Sequence, residues 1–360
     1  MEGDLIHIND WLRPLSWLYG VGVGVRNTLF DSGILKEQTF ERPIISIGNI
    51  TVGGTGKTPH TELLLHMLLP HFRVAVLSRG YKRRSKGYRL SDIKTSMQEI
   101  GDEPWQMKQK FPEAIVAVDA NRRRGIQHLL DDEETRNVDV ILLDDAFQHR
   151  YVKPTLNILL SDYHRLITDD ILLPAGRLRE PVSSKDRAHV VIVTKCPHGM
   201  KPMDYRVIQK ALSLKPFQRL FFSSFRYGRL RRLFGDTPGQ EEELTPDTHV
   251  LLLTGIASPQ QMMMDLQHIT RHITPLTFAD HHAFSPSDVQ QIEEAFTAMQ
   301  GSKRLIVTTE KDAARLMTVQ GLTPIVRRHI YVLPIEVEIL RNEQADLQRI
   351  IFDTAGTATR

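Results

Sequence analysis

Residues 47–61 read Ile-Gly-Asn-Ile-Thr-Val-Gly-Gly-Thr-Gly-Lys-Thr-Pro-His-Thr, an apolar run that gives way to glycines and then to Gly-Lys-Thr where a helix can begin. A loop of this kind does phosphate chemistry. Gly53, Gly54 and Gly56, with Thr51, Val52 and Thr55 between and around them, let backbone N–H groups close on a polyphosphate. Lys57 can reach the β- and γ-phosphates, and the Thr58 hydroxyl can ligate Mg²⁺. Pro59 falls in the first helical turn, where its missing donor costs little. The match to Gly-x-x-x-x-Gly-Lys-Ser/Thr is imperfect, because Thr51 stands where the pattern asks for Gly. A second group completes the chemistry. Val-Ile-Leu-Leu-Asp-Asp at 140–145 runs four apolar residues into two carboxylates, so Asp144 or Asp145 would help hold Mg²⁺ directly or through water. Apolar strands ending in acid are common; the pairing with Gly-Lys-Thr is what points to a nucleoside triphosphate–Mg²⁺ site. Hydrolases, kinases and partitioning ATPases all use one.

These residues need a sheet to position them. Short apolar runs at Pro43–Ile47, Val74–Leu77, Ile115–Val118, Val138–Leu143, Leu156–Leu160 and Val190–Val193 read as buried parallel strands. Thr58–Leu69 and Asn121–Leu130 have helical character and can supply crossovers. The expected fold is α/β, a P-loop doubly wound and mostly parallel sheet, with ligands beyond the carboxyl ends of the strands. A composition shift at 216–247, from Arg-Tyr-Gly-Arg-Leu-Arg-Arg to Gly-Gln-Glu-Glu-Glu-Leu-Thr-Pro, reads as a linker or hairpin. Beyond it, strands at Val250–Leu253, Ile273–Phe278, Arg304–Thr308 and Ile330–Leu333, with helices near 259–271 and 286–299, read as a second, smaller α/β domain. The expected division is an apolar N-terminal segment at 1–35, a nucleotide-binding domain at 36–215, the linker, the smaller domain at 248–335, and a segment at 336–360 returning to the first domain.

A chain of 360 residues is long enough for two domains, and its 41% hydrophobic and 25% charged residues are those of an ordinary soluble protein. A net charge of +3 is compatible with an anionic partner and equally with a solvated surface. A single cysteine, Cys196, excludes an intramolecular disulfide framework and fits the reducing cytosol. At the N-terminus Ile6, Ile8, Trp11, Leu12, Leu15, Trp17, Leu18 and Tyr19 precede Val-Gly-Val-Gly-Val. The segment lacks the basic opening and cleavage site of a signal peptide. Residues 14–25, between Arg13 and Arg26, form an uncharged run of 12, short of the ~20 that span a bilayer. Two of the three tryptophans lie here, which suits a helix in the membrane interface; a helix packed on the core is the plain alternative.

Further motifs follow in order: Ser78-Arg79-Gly80-Tyr81, Gly-Asp-Glu-Pro at 101–104, Asp-Asp-Ala-Phe-Gln-His at 144–149, Leu-Pro-Ala-Gly-Arg-Leu-Arg-Glu-Pro at 173–181, Phe-Ala-Asp-His-His at 278–282 and Thr-Glu-Lys-Asp at 309–312. This ordered set resembles the tetraacyldisaccharide 4′-kinase family, the lipid A 4′-kinases of Gram-negative bacteria, over nearly the whole chain. Ala146 departs from the family, which usually has Gly after the paired aspartates; that matters only if the backbone there takes positive φ.

The resemblance implies transfer of the ATP γ-phosphate to the 4′-hydroxyl of a tetraacylated glucosamine disaccharide 1-phosphate, at the cytoplasmic face of the inner membrane. Lys57, Thr58, Asp144 and Asp145 would handle the phosphates and Mg²⁺. The base implied for the sugar hydroxyl is Asp102, with His281 as its partner, because a lone aspartate with an ordinary pKa near ~3.9 is a weak base. Arg79, Glu103, His149, Arg177, Arg179, Glu180 and Asp280 are further candidates, the arginines for phosphate and the others as orienting groups. Each also has a plain reading as a loop salt bridge or cap. Adjacent His281 and His282 point apart and have no cysteine near them, so structural zinc is not expected. Two basic clusters, Lys82-Arg83-Arg84 with Lys86, and Arg226, Arg229, Arg231 and Arg232, suit an anionic membrane surface. Nucleic acid is not an expected partner, and no obligate protein partner is evident. The rivals are a partition-type ATPase, whose signature lysine is replaced here by Val52, and a non-catalytic nucleotide-binding module at the membrane.

Overall fold

Runs of Val, Ile and Leu become strands because branched side chains pack well on a pleated surface covered on both faces. The computed structural model describes residues 8–234, 240–256, 259–280 and 282–359. In chain order the strands are β1 (Ile44–Asn49), β2 (Val74–Ser78), β3 (Arg89–Ser91), β4 (Ile115–Val118), β5 (Val140–Asp144), β6 (Leu156–Asp162), β7 (Val190–Thr194), β8 (Arg219–Tyr227), β9 (Leu230–Arg232), β10 (Glu241–Glu242), β11 (His249–Thr254), β12 (Ile273–Thr277), β13 (Arg304–Thr309), β14 (Ile330–Leu333) and β15 (Ile335–Ile339). The chain forms two compact units, Met1–Phe225 with Val337–Arg360, and Arg226–Glu336.

The first unit is built on a nine-stranded sheet in the order β15-β8-β7-β6-β1-β5-β2-β4-β3. The six pairings from β8 through β4 are parallel, and the short β3 is antiparallel to its neighbour β4. Ile45 and Ile47 of β1, Leu142 of β5 and Ile158 of β6 share one cluster with Leu64, Leu65 and Leu68 of the helix Lys57–Leu68. Each of those leucines contributes roughly 1.5–3 kcal/mol by leaving water, which anchors the helix that follows the glycine loop. The helix Gln344–Ala355 adds Leu347, Ile351 and Ala355 to the same cluster, so the last stretch of the chain builds this unit's core. Ile44, Ile141 and Leu143 alternate to the opposite face of the sheet.

Residues 216–247 are more structured than a linker. β8 joins the large sheet, its Phe221 and Phe222 buried, while β9 and β10 pair antiparallel in the second unit. Arg219, Ser223, Ser224 and Arg226 break up the apolar run that would have marked β8, which lies between β15 and β7 in the sheet. The second unit's sheet runs β10-β9-β14-β13-β11-β12, with β14, β13, β11 and β12 parallel.

The helix Arg13–Asp31 is held on the first unit by polar contacts along its length and by the buried Phe30 near its end. Ala175 N–H donates to Ser16 Oγ (2.9 Å), Tyr19 Oη to Arg179 O (2.8 Å) and Arg26 Nη2 to Gln148 O (2.9 Å), while Arg150 pairs with Asp31 (2.8 Å). Leu15, Trp17, Leu18, Val21 and Val25 point outward, beside an exposed Trp11, while Phe30 near the helix end is buried against Tyr151. Among the described residues no helix is long and apolar enough to cross a membrane.

In the second unit Asp312, wholly buried, accepts from Gly255 N (2.9 Å) and Thr309 Oγ1 (2.8 Å) and pairs with the buried Arg315 (3.0 Å). Removing one partner of a buried pair leaves an uncompensated charge. Asp312→Ala is expected to destabilise the protein by about 3 kcal/mol, with Asp312→Asn milder; urea denaturation followed by far-UV circular dichroism measures both.

Candidate active site

β1 and β5 pair with Ile47 opposite Asp144, so the loop leaving β1 and the carboxylates ending β5 emerge together at the carboxyl end of the sheet. Gly53 (φ 107) and Gly56 (φ 83) take left-handed backbone, and a Cβ on Gly56 would lie 2.9 Å from Phe225 Cζ. Gly56 therefore caps the helix that Lys57 and Thr58 open, aiming its first N–H groups at the loop. Thr51, the departure from the pattern, forms an antiparallel bridge with Leu178, and Val52 N–H donates to Arg177 O (2.8 Å). That extended backbone needs no glycine. The loop is further held from below: Asn49, fully buried, donates to Thr55 Oγ1 (2.7 Å) and Thr51 Oγ1 (3.2 Å) and accepts from Arg179 Nη2.

The two aspartates titrate in opposite directions. Burial, then the charges of Glu103 and Asp145, push the Asp144 carboxyl up to about 7, with Lys57 and Arg122 opposing. Its oxygens accept from Thr61 Oγ1 (3.2 Å) and Ser78 Oγ (3.3 Å). Burial also raises Asp145, but Lys57 (3.8 Å) and Arg179 (3.2 Å) outweigh it and hold that carboxyl below the ordinary range. Asp145, at φ 46, is the residue that turns the chain. Ala146 has no positive φ, so an alanine there costs nothing. The turn crosses β1 closely, since a Cβ on Gly48 would sit 2.9 Å from Phe147 Cβ.

Asp102 and Glu103 open the helix Asp102–Lys110. Gly80 (φ 68) and Gly101 (φ 92) bring it to the end of β2, for a Cβ on either would stand 2.8 Å from Ile100 O or 2.9 Å from Tyr81 O. Glu103 lies close enough to act on Asp144. His149 is pushed down to about 4 by burial and by Arg122, Arg26, Arg123 and Arg79, and its buried Nε2 has no hydrogen-bond partner. It is a neutral ring among cations. Glu180, buried, accepts from Arg187 Nη2 (2.5 Å), whose guanidinium lies over the Phe147 ring (4.8 Å). Arg79 and Arg177 are exposed, and Arg177 serves the loop through its backbone.

In the second unit Asp280 lies 3.8 Å from Lys311, and His282 Nε2 bonds Asp288 Oδ2 (2.9 Å) at the start of the helix Pro286–Ala298. His281 lies outside the described residues. Asn49, Thr61 and Arg122 were not singled out from the sequence. Arg122, buried, donates to Asp144 O (3.1 Å) and Asp119 O (2.7 Å); it reads in sequence as one more helix cation, whereas an Asn ending an apolar strand was a usable signal for Asn49.

The description of the tetraacyldisaccharide-1-P 4′-kinase family matches residues 8–354. The chain belongs to this family. Tetraacyldisaccharide 4′-kinase of Phocaeicola vulgatus is 54% identical over 347 residues, covering 96% of this chain and 94% of that protein. The Bacteroides fragilis protein of the same name is 54% identical over 364 residues, covering 100% and 96%. The crystal structure of LpxK from Aquifex aeolicus, an "apo" form in complex with ATP, superposes with a TM-score of 0.71 at 29% identity, covering 95% of this chain and 98% of that one.

The carboxylate set fits the divalent cation that kinases of this kind use. A buried Asp144 raised by two acidic neighbours is a group whose charge a cation would satisfy. Among the described residues no group of three or more His, Cys, Asp or Glu side chains could hold a metal ion by itself.

Because the folded-state pKa of Asp144 lies above its ordinary 3.8, the metal-free fold retains a proton that the unfolded chain has lost. Stability from this group is therefore present at low pH and falls as pH rises from about 4 to about 7. In Asp144→Asn that loss is expected to vanish, and at pH 8 without Mg²⁺ the variant should melt above the wild type. Thermal melts across that pH range, with and without Mg²⁺, check both.

Proposed function

We propose that this protein transfers the γ-phosphate of ATP to the 4′-hydroxyl of a tetraacylated glucosamine disaccharide 1-phosphate. The observation that carries the reading is the β1–β5 register, which sets Lys57 beside Asp145 and Asp144 at the end of the sheet in a chain of this kinase family. The partition-type ATPase is disfavoured, since Val52 occupies the place of that class's lysine.

Gly53–Thr58 receive the ATP phosphates on backbone N–H groups, and Lys57 moves from Asp145 to the β- and γ-phosphates. Thr58 with Asp144 and Asp145 would hold Mg²⁺, which neutralises charge on the phosphates when bound. Arg179 keeps Asp145 ionised for that purpose, while Arg122 and Thr61 fix Asp144. Arg79, exposed at the end of β2, is a cation for a phosphate of either substrate. Asp102 accepts the proton of the sugar hydroxyl; the role of His281 as its partner rests on the Asp-His-His motif.

The acceptor comes from a membrane surface, and we assign the helix Arg13–Asp31 to the interface of the inner membrane's cytoplasmic face. Its polar side is spent on the protein and its apolar side faces outward. Of the two basic clusters the first is the better lipid contact. Lys82, Arg84 and Lys86 are exposed beside Tyr81, although Arg83 turns inward to Gly87 O (2.6 Å). In the second cluster Arg226, Arg229 and Arg232 already hold Glu336 (2.8 Å), Glu241 (3.4 Å) and the Tyr331 hydroxyl (3.0 Å).

With γ-labelled ATP and the disaccharide 1-phosphate, label is expected on the lipid; hydrolysis without labelled lipid would refute the kinase reading. Lys57→Ala should lower turnover on the order of 10²-fold or more, the scale of a lost charge-stabilising donor. Asp102→Ala should lower it by roughly 10²–10⁴-fold, the range for a general base, with melting unchanged; near-normal turnover would remove Asp102 from the mechanism. Trp11→Ser with Trp17→Ser, both exposed and so neutral to folding, should shift the protein from anionic vesicles into the supernatant on sedimentation.

A further inference from the structure

A phosphate loop binds through N–H groups, and an N–H is aimed by fixing the carbonyl on the other side of the same peptide. Peptides are planar and trans, so the carbonyl of one residue points opposite to the N–H of the next. Thr55 O accepts from Thr194 Oγ1 (3.0 Å) at the end of β7, which turns the Gly56 N–H the other way. Gly56 O accepts from His60 Nδ1 (2.7 Å), a shorter bond than the one from the His60 backbone N–H (3.2 Å), and this directs the Lys57 N–H. Both N–H groups stand at the start of the helix Lys57–Leu68, where the helix itself supplies no acceptor.

The side chains that hold these carbonyls are buried and fully engaged. His60, Thr194 and Ser223 are each 1% exposed or less. Nδ1 must carry a proton to donate to a carbonyl, so Nε2 of the neutral ring is an acceptor, and Ser223 Oγ of β8 donates to it (2.9 Å). The other acceptors near the two hydroxyls lie farther off, Val193 O at 3.5 Å from Ser223 and Ser161 O at 3.4 Å from Thr194. A Cβ on Gly56 would stand 2.9 Å from Phe225 Cζ and 3.4 Å from His60 Nδ1, which leaves that peptide little room to turn over. The loop leaving β1 is thus backed from β7 and β8, on the far side of β6 in the sheet.

We propose that His60 and Thr194 are positioning residues for nucleotide binding. They act through the Gly56 and Lys57 N–H groups, hold the loop in its phosphate-binding shape before the nucleotide arrives, and touch no substrate themselves. The proposal rests on the loop being the ATP site. Donors aimed in advance bind without an ordering cost. When a backing bond is lost, the peptide it held samples more than one orientation, and affinity falls by the fraction that remains competent.

Titration calorimetry on the full chain with Mg²⁺ and a non-hydrolysable ATP analogue tests this. Thr194→Val keeps the shape of the side chain and removes its hydroxyl; binding should weaken about tenfold, the scale of one lost hydrogen bond. Thr194→Ser, which restores the donor, should stay within about threefold of the wild type. His60→Leu should also weaken binding about tenfold, and His60→Asn, whose amide N–H₂ stands where Nδ1 does, should recover most of the loss. A role in packing alone ranks the last two the other way, because a buried amide is a worse filler than an apolar side chain. If His60→Leu does not fold, the Thr194 pair carries the test by itself. The proposal is overturned if Thr194→Val binds as the wild type does, or if the Ser and Asn variants bind no better than the Val and Leu variants. A wild type that binds no nucleotide would instead remove the loop's assignment as the ATP site, and this proposal with it.

Discussion

Parallel pairing of β1 with β5, Ile47 against Asp144, is the constraint on which the rest of the site depends. It delivers a cationic loop and two carboxylates to one point, and burial then sets their charges. Had the strands slipped by one residue, the alternation of side chains would have turned Asp144 to the other face. In register, Asp144 is desolvated and raised while Asp145, a residue further on at positive φ, reaches Lys57 and Arg179 and is lowered. Adjacent carboxylates become chemically different because burial, helped by Glu103, dominates at one and the cations Lys57 and Arg179 dominate at the other.

A second layer keeps that point rigid, and it is polar rather than apolar. Asn49 ties Thr51 and Thr55 of the loop to Arg179, and Arg179 reaches Asp145. Glu180, the next residue, orients Arg187 over Phe147 of the carboxylate turn. The segment 177–181 therefore braces both halves of the phosphate site at once. Buried networks of this type hold geometry well when every member is paired; here Arg179 Nε and Glu180 Oε1 are the buried atoms left without a partner.

The N-terminal helix shows the same economy in reverse. Most surface helices turn their apolar stripe to the core. This one spends Ser16, Tyr19, Arg26 and Asp31 on the protein and leaves Trp17, Leu18, Val21 and Val25 outside. The arrangement is stable in water only as a compromise, and it gains when an apolar phase covers the exposed side.

Apart from β8, the parallel strands of both sheets and the meeting of Lys57 with Asp144 and Asp145 at one sheet end were legible in the sequence, because apolar runs, glycines and acids at strand ends are local patterns with local physical causes. The edge strand β15 and the polar brace from Asn49 through Arg179 were not, since their partners lie far along the chain, and β8 was hidden by the polar residues that interrupt its apolar run. The acceptance of Thr51 depended on a bridge to Leu178, and that of Ala146 on a positive φ falling one residue earlier, at Asp145. Residue types alone determined that this protein handles a nucleoside triphosphate. Only the tertiary structure decided which aspartate carries charge, because protonation depends on what surrounds a carboxyl in space.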